Sequence, residues 1–527
     1  MPMTNDPQLQ KAIASILQRS EKQRDLQKLV GSFVDVGILP QLLNDNSQII
    51  YGRRGTGKTH LLSVLVSELK KDPQKTVIYI DARTLGSTSQ FSDRSVGIKQ
   101  RCLALFRDVL GEVHNALLEQ IVSYPTEHAN QVLDELDKLA TIITEPIATQ
   151  VTTRVEDRTL NKTDSSGTAE VSASPTTLGA KLSYQSGESA ERETRTVADL
   201  SHEEKIVFPA LGTLLASILE KSKTVLFILL DEWSSIPSDI QPYLAEFLRR
   251  SFLPKANVVV KIASLEYRSN FAERTGPRGD IVGFEVGSDI STALDLDDYY
   301  VYDRNPAQVT DAFSDMLYRH VRGELPVDYL KNFYGITDQD KFVASLFTNV
   351  ATFQELVRAS EGVARDLINI FSQAFFATQR KGVEKIDKRA ILEAARQWFE
   401  QDKAQNLGED LTRVLERIVE EVIGHRKARS FMLPRELEKE DVIQKLFDAR
   451  VVHLVLRGYA DKDNPGVRYN IYTLDYGTYV DLLATSKAPD LGFQDKSPAD
   501  DGEFLVPFDD KRSIRRIVLK REILKGQ

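Results

Sequence analysis

The chain has 527 residues with a formal net charge of −9, enough at ~150 residues per domain for about three domains or one enlarged one. Its 41% hydrophobic and 28% charged content excludes a mainly disordered chain and allows at least one sizeable core. The acidic balance argues against a generic nucleic-acid coat, so any DNA contact must come from a local basic patch.

In chain order, Met1 to Gln10 is polar and contains Asp6, unlike a secretory leader. Asn5 and Asp6 can cap a helix with Pro7 at its first position, followed by Leu9, Ile13, Ile16 and Leu17 at helical spacing. Phe33 to Gly37 ends in a glycine turn, and Gln48 to Tyr51 reads as a short buried strand. Thr76–Asp81 (TVIYID), Thr224–Asp231 (TVLFILLD) and Asn257–Ser264 (NVVVKIAS) are further β-rich apolar runs separated by helical segments. This alternation predicts an α/β fold with a parallel sheet. The most apolar run, Val225 to Leu230, is far short of the ~20 residues that cross a bilayer, so no membrane contact is expected. The single cysteine, Cys102, excludes an internal disulfide framework and a multi-cysteine zinc site and fits a reducing compartment; the expected location is cytoplasmic.

A long insertion, at about 96–200, separates the second and third strands. Its first part is helical in pattern, with Leu103, Leu105, Phe106, Val109 and Leu110 on one stripe. Its second part, Thr149 to Asp199, is rich in Ser, Thr and Gly and reads as a mobile loop or a loose hairpin, the latter from stretches such as Val151 to Val155. Residues 306 to about 403 are helical throughout, ending in a helix that Asp387 caps and that puts Ile391, Ala394, Ala395, Trp398 and Phe399 on one face. Leu411 to Thr485 holds two helical segments, then strands Val451–Arg457 and Val467–Leu474 around the turn Asp461 to Gly466; helices before a two-strand hairpin suggest a winged helix. The expected parts are thus 1–305, an N-terminal helix and α/β core; 306–404, a helical lid; 405–490, a winged helix; and 491–527, a basic-hydrophobic tail.

The strongest chemical signal is Gly52-Arg53-Arg54-Gly55-Thr56-Gly57-Lys58-Thr59, which satisfies G-x-x-x-x-G-K-[ST] between an apolar strand and a helix beginning near His60. Glycines let backbone N–H groups curl round phosphates, Lys58 reaches β/γ oxygens and the Thr59 hydroxyl ligates magnesium. Hydrolysis also needs an acid for the metal and a group to orient water, both expected at the end of a strand beside the first one. Asp231 and Glu232 supply that pair, with Asp231 on Mg2+ and Glu232 polarising water. At the next strand end Ser264, or less well Glu266, is the candidate to touch the γ-phosphate or attacking water. The seven histidines contain no H-E-x-x-H pair, and no glycine-flanked serine nucleophile is evident, so NTP hydrolysis stands alone as enzyme chemistry.

This order of phosphate loop, Asp-Glu strand, polar strand end, helical lid and winged helix resembles the AAA+ P-loop ATPases of the origin-recognition and initiator-loading clade, over roughly 33–485. The lid stretch Ser360-Glu361-Gly362-Val363-Ala364-Arg365-Asp366 is similar to that clade's glycine-then-arginine sensor. The resemblance implies ATP rather than GTP, a γ-phosphate-reading role for Arg365, and a homo-oligomer when ATP is bound. It also implies an arginine supplied in trans, for which Arg249, Arg250, Arg268 and Arg278 are candidates. It places the groove-facing helix at Glu440 to Ala449, although Glu438, Glu440, Asp441 and Asp448 there would repel phosphate. Lys511, Arg512, Arg515, Arg516, Lys520, Arg521 and Lys525 make a basic tail interleaved with apolar residues, fit for phosphates, a partner groove or packing on the body. Two functions follow: nucleotide-controlled assembly on double-stranded DNA, or a nucleotide switch that docks a protein partner without direct DNA action, as in bacterial defence or a mobile element.

Overall fold

A computed structural model describes residues 2–16, 23, 25–86, 93–144, 149–157, 194–202, 207–275, 279–460, 466–483 and 517–525. Its centre is a five-stranded parallel sheet made of β1 (Gln48–Tyr51), β2 (Lys75–Asp81), β5 (Val225–Asp231), β6 (Val258–Ser264) and β9 (Ser291–Asp295), in the order β2-β5-β6-β1-β9. Between them in the chain, β3 (Thr149–Asp157) pairs antiparallel with β4 (Thr194–His202), and β7 (Ala272–Thr275) with β8 (Asp280–Gly283). The first pair realises the hairpin option for the insertion; residues 158–193 lie outside the described residues. Four of the five central strands match the apolar runs of the sequence, whereas β9, Ser-Thr-Ala-Leu-Asp, carries too little apolar character to stand out.

Strands β5 and β6 are buried almost throughout because helices cover both faces of the sheet, which is why they read as continuous Val/Ile/Leu runs instead of alternating ones. Leu226, Ile228 and Leu230 point to one side with the helices Ile98–Ser123 and Phe208–Ser222, while Phe227 and Leu229 point to the other with the helix Lys58–Leu69. Each such side chain contributes roughly 1.5–3 kcal/mol by leaving water. The predicted stripe is the buried one: Leu103, Leu105, Phe106, Val109 and Leu110 are all in the core.

The register aligns the carboxyl ends of the strands. Tyr51 pairs with Ser264 and Asp295, and Asp81 with Asp231, so the residues that follow each strand emerge along one edge. One expectation is corrected here: the Asp231 strand is not beside β1, because β6 lies between them. The helix Lys58–Leu69 crosses that gap by packing over β2 and β5, so Thr59 at its start still meets Asp231.

The leader helix, Pro7–Ser15, is capped by Asp6, whose carboxylate accepts from the Gln8 N–H at 2.9 Å. It packs on the helical region after 305, where Tyr329 and Tyr334 also donate to Asp6 at 3.0 and 2.8 Å. Leu9 and Ile13 are buried there; Leu17 lies outside the described residues. In the helical region Asp387 caps Lys388–Trp398 by accepting from the Ala390 N–H at 2.8 Å, with Ile391, Ala394, Ala395 and Phe399 buried as expected and Trp398 half-buried.

Toward the C-terminus, β10 (Ser430–Pro434), β11 (Val452–Ala460) and β12 (Arg468–Leu474) form an antiparallel sheet in the order β10-β12-β11, with helices Glu409–Val419 and Asp441–Asp448 beside it. Both strands of the predicted hairpin are present and β10 is additional; the turn residues 461–465 lie outside the described residues. Of the basic tail, 517–525 is described, and it follows the packed alternative. Met432 donates to the Ile517 carbonyl at 2.7 Å and accepts from the Leu519 N–H at 2.9 Å, and Ile517, Leu519 and Leu524 are buried. Arg521 pairs with Glu440 at 2.7 Å.

Candidate nucleotide site

The loop between β1 and the helix Lys58–Leu69 curls through two left-handed glycines, Gly55 at φ +87° and Gly57 at φ +100°. A side chain at Gly55 would also meet the lid, because an added Cβ would lie 2.8 Å from the Arg365 Cβ. The Gly55 carbonyl accepts from the Arg365 N–H at 3.1 Å, so the start of the lid helix Ala364–Arg380 sits directly on the loop. Two helix N-termini therefore face one cavity of about 400 Å³, a size suited to a small molecule. Arg54, Gly55, Gly57, Lys58, Thr59, His60, Glu232 and Arg365 all line it.

Lys58 is buried, and its ammonium donates to the carbonyls of Gly52 at 2.6 Å and Arg53 at 3.0 Å. Burial lowers its pKa and Arg365 adds to that, while Glu232, Asp297 and Asp231 pull it back up. Thr59 donates its hydroxyl to Asp231 Oδ2 at 2.6 Å, which joins the two residues assigned to the metal from sequence. Asp231 is fully buried and takes two more donors: the Tyr79 hydroxyl at 2.9 Å on Oδ2 and the Glu232 N–H at 2.8 Å on Oδ1. The Thr59 hydroxyl, which lines the cavity, and the buried Asp231 carboxylate behind it make an all-oxygen donor pair of the kind Mg2+ takes. Glu232 adopts a left-handed backbone, φ +54°, which turns its side chain to the cavity wall.

Three sequence candidates are placed differently. Ser264 is fully buried and does not line the cavity; its hydroxyl is engaged by that of Ser269, which in turn donates to the Leu265 carbonyl at 2.5 Å. Glu266 faces the C-terminal sheet and pairs with Arg457 at 2.6 Å. The Arg53 side chain turns away from the cavity into a buried cluster, so only its backbone remains in the loop. His60 lines the cavity, but its ring nitrogen Nε2 is bonded to the Leu29 carbonyl at 2.6 Å, and burial lowers its pKa. Its ring meets Phe33 edge-on at 5.4 Å.

The arginines proposed to act in trans have partners within the chain. Arg249 and Arg250 both bind Glu246, at 2.9 and 2.5 Å, and Arg268 binds Asp448; Arg278 lies outside the described residues. The helix Asp441–Asp448 is docked on the α/β core through that pair and through Phe447, whose ring meets Tyr267 edge-on at 5.0 Å. Lys445, its one exposed cation, pairs with Asp441 at 2.5 Å.

Sequence reasoning missed Tyr79, Arg83, Arg319 and His320. Tyr79 carried a usable signal, being two residues from Asp81 on the same face of a strand that ends beside Asp231. The other three come from a turn and from the lid helix Pro306–Glu324, and only chain folding brings them to the cavity.

No family model matches the chain, and no curated protein matches it. Among solved structures, it is similar to Cdc6p from Pyrobaculum aerophilum, with 12% identity over 88% of this chain and 93% of that one and a TM-score of 0.32. It is likewise similar to the ORC2 protein of Aeropyrum pernix in its ADPNP-ADP complexes (11% identity, 87% and 96% covered, TM-score 0.37) and to the ORC1 protein of the same organism in complex with DNA (13%, 86% and 93%, TM-score 0.31). A parallel sheet carrying the phosphate loop after β1 and the Asp231–Glu232 pair after β5, with a helical lid seated on Gly55, gives this chain an AAA+-like P-loop fold.

Proposed function

We propose that the protein binds ATP with Mg2+ in this cavity and hydrolyses it, and that the nucleotide state controls its assembly with double-stranded DNA or with a protein partner. The observation that supports the ATPase reading best is the 2.6 Å contact between Thr59 and Asp231 beside Lys58 and Glu232, four residues from two distant segments. On this reading Lys58 leaves the Gly52 and Arg53 carbonyls for β- and γ-phosphate oxygens, and loop N–H groups receive the remaining phosphate charge. Thr59 and Asp231 would hold Mg2+, which supplies charge neutralisation on the β/γ oxygens. Glu232 orients water and takes its proton, while Arg365, fixed to Gly55 by its backbone, reads the γ-phosphate from the lid. Ser264 has no part in this reading. The parts at 1–305, 306–404, 405–490 and 491–527 act as core, lid, winged helix and tail.

ATP turnover by wild type, Lys58→Ala and Glu232→Gln protein tests the site. Lys58→Ala should lose nucleotide binding, whereas Glu232→Gln should bind ATP and lose about 10²-fold or more in turnover. Equal ATP binding by wild type and Lys58→Ala protein would refute the assignment.

The docked helix Asp441–Asp448 favours the second reading, a switch that engages a protein partner, because its end is occupied by Tyr267 and Arg268 and its exposed cation, Lys445, is paired with Asp441. The salt dependence of duplex binding separates the two. Multiple phosphate contacts make affinity fall steeply with salt, and a flat or absent response supports the protein-partner switch. Assembly as a homo-oligomer, with an arginine acting in trans, belongs to the ATP-bound state on either reading.

A further inference from the structure

Arg53 is the second residue of the phosphate loop, yet its guanidinium is buried among partners from three other regions. Nε donates to Asp297 Oδ1 at 3.0 Å, just past β9; Nη2 donates to the Glu361 carbonyl at 2.9 Å in the lid; and Nη1 meets His453 Nδ1 on β11. The Phe447 ring lies 6.0 Å away, and the Arg53 N–H adds a bond to Asp297 Oδ2 at 2.9 Å. Because Arg53 can only donate, His453 Nδ1 must accept, which puts the imidazole proton on Nε2, where it is given to Asp475 Oδ2 at 2.8 Å. Asp475 accepts from Lys403 at 2.5 Å, and Lys403 reaches Asp366 at 3.1 Å, the residue after Arg365. A closed path thus leaves the phosphate loop, crosses the C-terminal sheet and returns to the lid helix that sits on the same loop.

The other end of Arg53 is tied to the phosphate-reading machinery. Its carbonyl accepts from Lys58 Nζ at 3.0 Å and from the Thr56 hydroxyl at 2.9 Å. A phosphate that draws Lys58 away removes the cation from this peptide and changes its orientation. The guanidinium cannot simply let go: that would leave Asp297 Oδ1, the Glu361 carbonyl and His453 Nδ1 buried without their donor, each at a cost well above that of a small shift of the elements carrying them. A planar fork with three directed bonds also passes rotation on to its partners, which a flexible ammonium does not.

We propose that Arg53 transmits nucleotide occupancy from the phosphate loop to the C-terminal sheet through His453, and to the lid through the Glu361 carbonyl. This rests on the nucleotide reading above. Hydrogen exchange of the full chain, with and without a non-hydrolysable ATP analogue plus Mg2+, tests it in wild type, His453→Leu and Arg53→Lys proteins. In wild type, the analogue should change exchange both in residues 52–59 and in β11. In His453→Leu, loop protection should persist while the β11 response falls at least roughly fivefold, the lower bound of a typical coupling between sites. Arg53→Lys keeps a cation for Asp297 but cannot span three partners, so it should lose the β11 response as well while leaving the His453 side chain in place. A protected loop in wild type with no response in β11, or a β11 response undiminished in both variants, overturns the proposal. A wild-type loop that the analogue does not protect overturns the nucleotide reading and this inference with it.

Discussion

Replacing Lys403 by methionine isolates the charge at the centre of the joint between the lid and the C-terminal sheet. The Lys403 side chain is 2% exposed, and its partners Asp366 and Asp475 are 0% and 2% exposed, so the ammonium is surrounded by protein on every side. Methionine keeps nearly the same volume, which leaves packing intact and removes only the cation. Breaking a buried pair by deleting one partner costs about 3–5 kcal/mol. The lower end applies here because Asp366 keeps Arg450, and Asp475 keeps the His453 ring and the Gly477 N–H at 2.9 Å. With a denaturant slope of about 3 kcal/mol per M of urea, a loss of about 3 kcal/mol moves the midpoint down by about 1 M. Fluorescence of Trp398, on the helix leading to Lys403, reads the transition in a Trp233→Phe background. The pH dependence has a definite sign. Burial is the largest single influence and works to raise both carboxyls, but Lys403 together with Arg450 at Asp366, and together with the His453 ring at Asp475, outweighs it, so both lie below their ordinary range. Their contribution in wild type is complete above the unfolded value near ~4 and is lost as pH falls through the lower folded values. Without Lys403 the carboxyls rise, and the penalty of the variant should shrink from pH 7 to pH 5 as they take up protons. A midpoint shift below about 0.3 M, or a penalty that does not change with pH, would refute this reasoning.

Gly55→Ala places a methyl 2.8 Å from the Arg365 Cβ at a backbone with φ +87°, so the lid must lift from the loop; nucleotide affinity, measured by calorimetry, should fall about tenfold or more, since the left-handed penalty alone is roughly 1–2 kcal/mol. Tyr79→Phe removes one of the three donors that fix the Asp231 carboxylate. A hydrogen bond to a charged group contributes roughly 1.5 kcal/mol, so the Mg2+ concentration for half-maximal turnover should rise about tenfold with turnover at saturating Mg2+ unchanged; a Mg2+ dependence identical to wild type would rule out a positioning role. Arg268→Ala frees Asp448 and loosens the docked helix Asp441–Asp448, and should make that helix exchange amide hydrogens faster without altering exchange in β5.

The strand, loop and helix that carry the phosphate-loop motif were legible because their parts are local. Gln48 to Lys70 contains the strand, the glycines, the cation and the helix in one stretch, and the loop glycines are needed for backbone reasons that hold in any fold. Asp231 and Glu232 were legible because a run of apolar residues ending in acids marks the exit of a buried strand. The lid helices were read from caps and periodicity, as with Asp387, because a side chain that accepts from N–H groups two or three residues on is a property of the local chain. Tertiary structure decided the rest. The order of strands, which puts β6 between β1 and β5, depends on which helices cover which face; and β9 became a strand only because β1 offered a free edge. The roles of charged residues were the least legible: Arg53 reads as a phosphate-loop residue, Lys403, Arg450 and His453 look like ordinary polar positions in sequence, and the charges among them are held in the interior by acids 37 to 244 residues away. A charge tolerates burial only where a partner of opposite sign is folded against it, and that pairing is set by the packing of whole elements, which no local pattern encodes.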